Sequence, residues 1–188
     1  IGIGIYSYLI YALGLAGFLY KIPVLILTLV FLGVLFFWLK NRVKLDSNWL
    51  KEILNDKIIL FSVIILSLQV IVNFLGAISP ELSFDALWYH LTSAKIFADN
   101  NRIFYLQGNL LWAANAPHLI DNLYAAALTF SNEILAKLIH FTFGLLSAGV
   151  LFNLLKRYYN LRISVLGVLI FYTMLIVGWQ STTAYIDL

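Results

Sequence analysis

The sequence predicts an all-α protein, a polytopic transmembrane helical bundle of about five spans with interfacial helices in one long loop. Three observations predict it. Hydrophobic residues make up 62% of the chain and charged residues 11%, where soluble domains run near half and a quarter. The apolar residues fall in uninterrupted blocks rather than in the periodic stripes of a soluble core. The basic residues fall mainly in two loops, as the positive-inside rule requires.

Five blocks qualify as spans, residues 1–20, 22–39, 58–77, 134–155 and 163–179, each near the length that about 30 Å of hydrocarbon demands. They must be helical, because no water is present at that depth to satisfy free amides, and strand-like alternation is absent. Lys21, Ile22 and Pro23 form a tight hairpin between the first two, with proline in the first turn of the second helix. Lys40, Arg42, Lys44, Lys51 and Lys57 occupy one loop and Lys156, Arg157 and Arg162 another, both predicted cytoplasmic. Lys95 and Arg102 are the only cations between residues 76 and 133. The net charge of +3 is therefore a topology signal, and a nucleic-acid patch is excluded.

That long loop carries two further helices. Placed at 100° steps, residues 83–99 gather Asp85, Tyr89, Thr92, Ser93, Lys95 and Asp99 on one arc. Leu87, Leu91, Ala94, Phe97 and Ala98 take the opposite arc, the pattern of a helix lying flat at a membrane surface. Residues 110–130 are also apolar, but Pro117, His118 and Asp121 in their middle argue against a span. An ionised group at mid-bilayer costs about 2.5 to 3.5 kcal/mol, and a sixth span would put Lys156 and Arg157 on the wrong side. A second interfacial helix is expected there, with Asn115 as N-cap and Pro117 in its first turn. Trp88 and Trp112 suit interfacial depth.

There is no cysteine, so neither a disulfide nor a thiolate metal site arises. No repeat, low-complexity tract, phosphate loop, nucleophile elbow or His-Glu-x-x-His zinc pattern occurs. No cleavable signal peptide is visible, and both ends are expected to be cut from a longer protein.

The ionisable groups suited to chemistry lie on the non-cytoplasmic side: Glu81, Asp85, Asp99, Asp121, Glu133, His90 and His118 in the long loop, and Asp187 beyond the fifth span. Each also has a purely structural reading. Asp85 complements the dipole of its helix, Asp187 is an exposed loop acid, and Asp121 caps or hydrates the second helix. His90 sits on the apolar arc as a packed histidine, His118 is open to either reading, and Lys95 with Asp99 is an ordinary i,i+4 pair. His140 lies inside the fourth span, where a polar group marks either function or a buried interhelical hydrogen bond.

The order of features carries a resemblance. Ile78-Ser79-Pro80 ends a span, Phe84-Asp85-Ala86-Leu87-Trp88-Tyr89-His90-Leu91 and Asn115-Ala116-Pro117-His118-Leu119-Ile120-Asp121 follow, and after two more spans comes Ala184-Tyr185-Ile186-Asp187-Leu188. This arrangement, over about residues 58–188, resembles bacterial GT-C integral-membrane glycosyltransferases of the protein-mannosyltransferase and aminoarabinose-transferase-like group (glycosyltransferase family 39-like). Residues 58–188 would then be the N-terminal part of the catalytic membrane domain, and residues 1–57 an added two-span hairpin with its cytoplasmic loop.

The resemblance implies transfer of a sugar from a polyprenyl-phosphate donor to a lipid, glycan or protein acceptor at the extracytoplasmic face of the plasma (inner) membrane. Asp85 and Asp187 match the family's two acidic positions. It implies Asp85 as catalytic base and Asp187 in a second acidic role. Both could serve as ligands of a divalent cation such as Mg or Mn, with Tyr89, His90 and His118 contacting the donor. Many members carry an acidic pair in the first loop, whereas Ala86 follows Asp85 here.

Two other classes compete. A transporter or flippase subunit handling lipid-linked saccharides would be marked by charges or broken helices within the spans, and His140 and Asn73 are the residues of that kind. A polysaccharide polymerase or ligase would share donor and topology.

Overall fold

The computed structural model describes residues 2–40, 48–108, 115 and 119–188, and among these there is no strand. In order, the helices are α1 (Gly2–Leu15), α2 (Lys21–Lys40), α3 (Asn48–Asn55), α4 (Lys57–Ala77), a π-helical turn (Ala86–His90), α5 (Leu91–Asp99), α6 (Leu119–Leu128), α7 (Glu133–Tyr158), α8 (Leu161–Thr173) and α9 (Leu175–Gln180). Three of them, α2, α4 and α7, are long and apolar enough to cross a membrane. At 1.5 Å per residue, the 20 residues of α2 and the 21 of α4 match about 30 Å of hydrocarbon.

The first and fifth expected blocks are interrupted. Gly17 adopts φ +76, Gly17 N–H bonds Gly14 O at 3.1 Å and Phe18 N–H bonds Leu13 O at 2.8 Å. This pair of bonds around a left-handed glycine is a Schellman cap, and it ends α1 before Tyr20. The last block breaks at Met174, whose ψ of 133 is extended. The Thr173 hydroxyl bonds Leu169 O at 2.7 Å just before the break, a back-bond that bends helices.

The two basic loops meet at one end of the bundle. Asp56 caps α4, accepting from the N–H groups of Ile58 at 2.9 Å and Ile59 at 3.3 Å. The same carboxylate pairs with Arg162 Nη2 at 2.7 Å, joining the start of α4 to the start of α8. The Arg162 guanidinium holds the Asp56 carboxyl below its usual range. A small core of Ile59, Leu161 and Val165 lies beside this junction. Chain direction then carries the far ends of α4 and α8, and the start of α7, to the opposite end.

At that opposite end sits the larger core, which includes Ile10, Leu91, Phe97 and Tyr124. Helix α6 packs on α1, α5 and α7, and residues 121–127 are all buried. The α1–α2 hairpin is tied to the loop after α5 through Leu19 N–H to Asn101 O at 3.0 Å and Ile103 N–H to Gly14 O at 2.9 Å. Gly14 is required there, since a Cβ would meet the Ile103 side chain at 2.5 Å.

The first interfacial helix forms, but its faces differ from an ideal 100° wheel. Leu91 N–H reaches back to Ala86 O, five residues away. The wider turn brings Ala86 and His90 inward where Leu87 was expected, and Leu87 is 49% exposed. Ser93, expected on the polar arc, is buried and donates to His90 O at 3.1 Å. The capping expected at residues 115–118 lies largely outside the described residues, as does Trp112. Asn115 itself brackets Leu106, bonding its N–H and its C=O at 2.8 Å each.

Candidate functional site

The site begins where α4 ends. The carbonyls at a helix C-terminus lack partners and carry partial negative charge. Lys137 of α7, 2% exposed, fills that place: its Nζ donates to Gly76 O at 3.0 Å, Ser79 O at 2.6 Å and Pro80 O at 3.3 Å. Glu81 and Glu133 provide the opposing charges.

Glu81 is itself buried because backbone amides satisfy its carboxylate. Oε1 accepts from Leu82 and Ser83 N–H, each at 2.9 Å. Oε2 accepts from Ala184 N–H at 2.7 Å, bridging the long loop to the segment after α9.

Asp85 precedes the π turn, which presents Tyr89 and His90. His90 is 1% exposed and its Nδ1 lies 2.9 Å from Asp121 Oδ1 on α6. Burial pushes the Tyr89 hydroxyl up, and the charges of Asp85, Asp121 and Asp187 add to the effect. Tyr185 is raised by burial and by Asp85, Glu81 and Asp187, against a lowering contact with the Asp85 backbone. Tyr124 on α6, well above its ordinary value through burial first and then Asp121, Glu81 and Asp187, donates its hydroxyl to Tyr185 O. Aromatic rings line the cluster: Tyr89 to His90 at 4.2 Å, His90 to Tyr185 at 6.0 Å and Tyr185 to Trp179 at 5.1 Å between centroids.

The segment 181–188 completes the cluster. His140, fully buried, contacts Thr183 O through Nδ1 at 2.8 Å, and its Nε2 accepts from Leu188 N–H at 3.3 Å. These partners assign a neutral ring with the proton on Nδ1. The segment lies close on two glycines, since a Cβ on Gly76 would meet Thr182 Cγ2 at 2.5 Å and one on Gly144 would meet Ser181 Oγ at 2.9 Å. Asp187 is exposed and accepts from Gln180 Nε2 at 2.9 Å.

Of the residues singled out from sequence, Asp85, Tyr89 and Asp187 lie on segments joined by the ring contacts of Tyr89 with His90 at 4.2 Å and of His90 with Tyr185 at 6.0 Å, and the charges of both acids raise Tyr89 and Tyr185. His90 joins them as the buried partner of Asp121, while His118 lies outside the described residues. Asp121, expected to cap or hydrate α6, is 5% exposed and bound to His90. His140 bonds the backbone of the segment after α9 rather than a neighbouring span. Glu81 and Asp121 stood out from sequence only as members of the external ionisable group and Tyr185 only as part of the closing motif, while Tyr124 and Lys137 were not singled out. The available signal was a lysine and a histidine inside one apolar block, which demand buried partners. Among the described residues, no three His, Asp or Glu side chains gather closely enough to hold a metal ion.

Two hollows lie elsewhere on the bundle. A groove of ≈ 440 Å³ lies between α1, α2, α6 and α7, lined by Phe31, Leu32, Leu123, Ala126 and Leu138 among others. A larger hollow of ≈ 790 Å³ at the α1–α2 hairpin is lined by Lys21, Asp99 and Ser131 and by none of the clustered acids.

The fold and this cluster define a helical bundle with three helices long and apolar enough to cross a membrane and a group of acids, tyrosines and histidines at one end. Comparison with family models, curated proteins and solved structures gives no match for this chain.

Proposed function

We propose that the chain forms part of a GT-C-type glycosyltransferase that moves a sugar from a polyprenyl-phosphate donor to an acceptor at the extracytoplasmic face of the plasma membrane. The observation that carries the reading is the meeting of the segments that bear Asp85 and Asp187, remote in sequence, with the His90 and Tyr185 rings 6.0 Å apart between centroids. They converge at the end of the bundle opposite the Asp56–Arg162 junction of the basic loops. In the five-span topology α1 and α8–α9 also cross, the basic end is cytoplasmic and the cluster faces outward.

In this reading Asp85 accepts the proton of the acceptor hydroxyl as that oxygen attacks the anomeric carbon, and the polyprenyl phosphate departs with the bonding electrons. A positioned base supplies about 10²- to 10⁴-fold. Asp85 and Asp187, as hard oxygen donors, are the residues that would hold an Mg or Mn ion, which would supply neutralisation of the departing phosphate. Tyr89 and the ring row through Tyr185 and Trp179 offer faces for a sugar, with His90 behind Tyr89. The apolar groove beside α6 has the chemistry to accept a lipid chain.

Asp85→Asn and Asp187→Asn in the intact protein, assayed for transfer from a polyprenyl-phosphate sugar, test the assignment. Loss of transfer at normal membrane insertion supports it, and retained transfer in both variants rejects it. The α8–α9 break at Met174 favours a second reading, a transporter of lipid-linked saccharides. Tyr172 and Asn73, buried beside that break on α8 and α4, supply the polar groups near a discontinuous helix that such proteins use. Transport without transfer would select it.

A further inference from the structure

Segment 181–188 has no regular structure of its own, yet side chains from two helices and one loop hold its backbone at successive points. Glu81 takes the Ala184 N–H at 2.7 Å, and Tyr124 donates to the Tyr185 carbonyl. The His140 ring holds both sides of Asp187, contacting Thr183 O at 2.8 Å and Leu188 N–H at 3.3 Å. One imidazole thus brackets the stretch that carries the carboxylate. Glu81 and His140 are both buried, so water does not compete for these bonds. Lys137 anchors the same assembly from below, since it fixes the carbonyls of Ser79 and Pro80 immediately before Glu81.

We infer that Glu81 and His140 are positioning residues that clamp segment 181–188 and thereby hold the Asp187 carboxylate in the acidic cluster beside Asp85 and Tyr89. The functional part of this inference rests on the glycosyl-transfer reading, whereas the clamp does not. A histidine serves better than a lysine or arginine because the segment offers an acceptor at Thr183 and a donor at Leu188, and a neutral imidazole answers both where a cation, with donors alone, cannot. A carboxylate at position 81 serves because it accepts three amide donors with two oxygens.

The test places a nitroxide on Asp187→Cys in the intact protein in its membrane, the 188 residues containing no other cysteine, and reads motion from the spin-label line shape. The parent gives an immobilised spectrum. Glu81→Ala and His140→Ala each lose the immobilised component, and His140→Asn, whose amide can still donate to Thr183 O, restores it in part. A line shape unchanged by Glu81→Ala and His140→Ala overturns the clamp whatever happens to transfer. In parallel, Glu81→Ala and His140→Asn are assayed for transfer with Asp187 intact, and kcat falls while the donor KM holds. A freed label with undiminished kcat overturns the positioning role. Absence of transfer in the unmodified protein refutes the glycosyltransferase reading alone, because the line shapes still decide the clamp. If His140→Ala is not recovered from membranes, the Glu81→Ala and His140→Asn spectra decide the outcome.

Discussion

The His90–Asp121 pair gives the most quantitative prediction. His90 and Asp121 side chains are 1% and 7% exposed, with Nδ1 and Oδ1 2.9 Å apart. Asp121→Ala strands the imidazole N–H in a site without water, a penalty of about 1–3 kcal/mol for an unsatisfied buried donor. His90→Ala is costlier, about 3–5 kcal/mol where it leaves an uncompensated buried carboxylate. The double variant removes both partners and so costs less than the sum of the two, with a coupling energy of about 1.5–3 kcal/mol for a bond to a charged group. For a chain of this size about 1 kcal/mol moves Tm by roughly 2–4 °C. Thermal unfolding in detergent micelles should therefore place Asp121→Ala about 2–12 °C below the parent. The double variant should lie well above the additive expectation. Strict additivity of the two single variants would refute the view that these side chains depend on each other.

Other perturbations read other parts of the fold. Gly76→Ala puts a Cβ 2.8 Å from Thr182 Cβ, and overpacking of this kind costs about 1–3 kcal/mol, seen as a lower Tm and a loosened segment 181–188. Lys137→Met removes three hydrogen bonds at the end of α4 and the positive charge that interacts with Glu81. Faster hydrogen exchange at residues 78–83 is expected, and unchanged exchange would count against the anchor. Asp56 has a folded pKa below its ordinary value, so the Arg162 pair stabilises above the unfolded carboxyl range, near 3.9, and that contribution is lost as pH falls through the folded value. Tm of the parent and of Arg162→Gln should accordingly differ at neutral pH and converge in acid. Raised Tyr89, Tyr124 and Tyr185 predict phenolate absorbance appearing at higher pH than in unfolded chain.

Much of the helical character was legible because apolar runs leave the backbone no alternative to helix. The gathering of cations predicted that residues 40–57 and 156–162 share one end, and the Asp56–Arg162 contact bears this out. The interruptions were harder to read. Gly17 caps α1 from within a stretch that is apolar on both sides, and Met174 breaks the last block with neither glycine nor proline at the break. The acids themselves were visible, but their partners were not. Asp121 looked like a surface cap because periodicity reports a face and not what another helix lays against it. His140 stood out as a polar group inside an apolar block, whereas hydropathy averaging hid Lys137, and the partners of both are carbonyls and amides remote in the chain.

The wide turn at Ala86–His90 also gives this helix slack for one change of chain length. Such a turn is an ordinary α-turn carrying one surplus residue, so excising Leu87 should let the helix close to its regular pitch while the stretches on either side keep their faces. A deletion inside α5 has no such slack and would turn what lies beyond it by about 100° around the axis. A one-codon deletion at the exposed leucine would thus be expected to leave Asp85 on its side, an outcome that the loss of a residue from α5 would not reproduce.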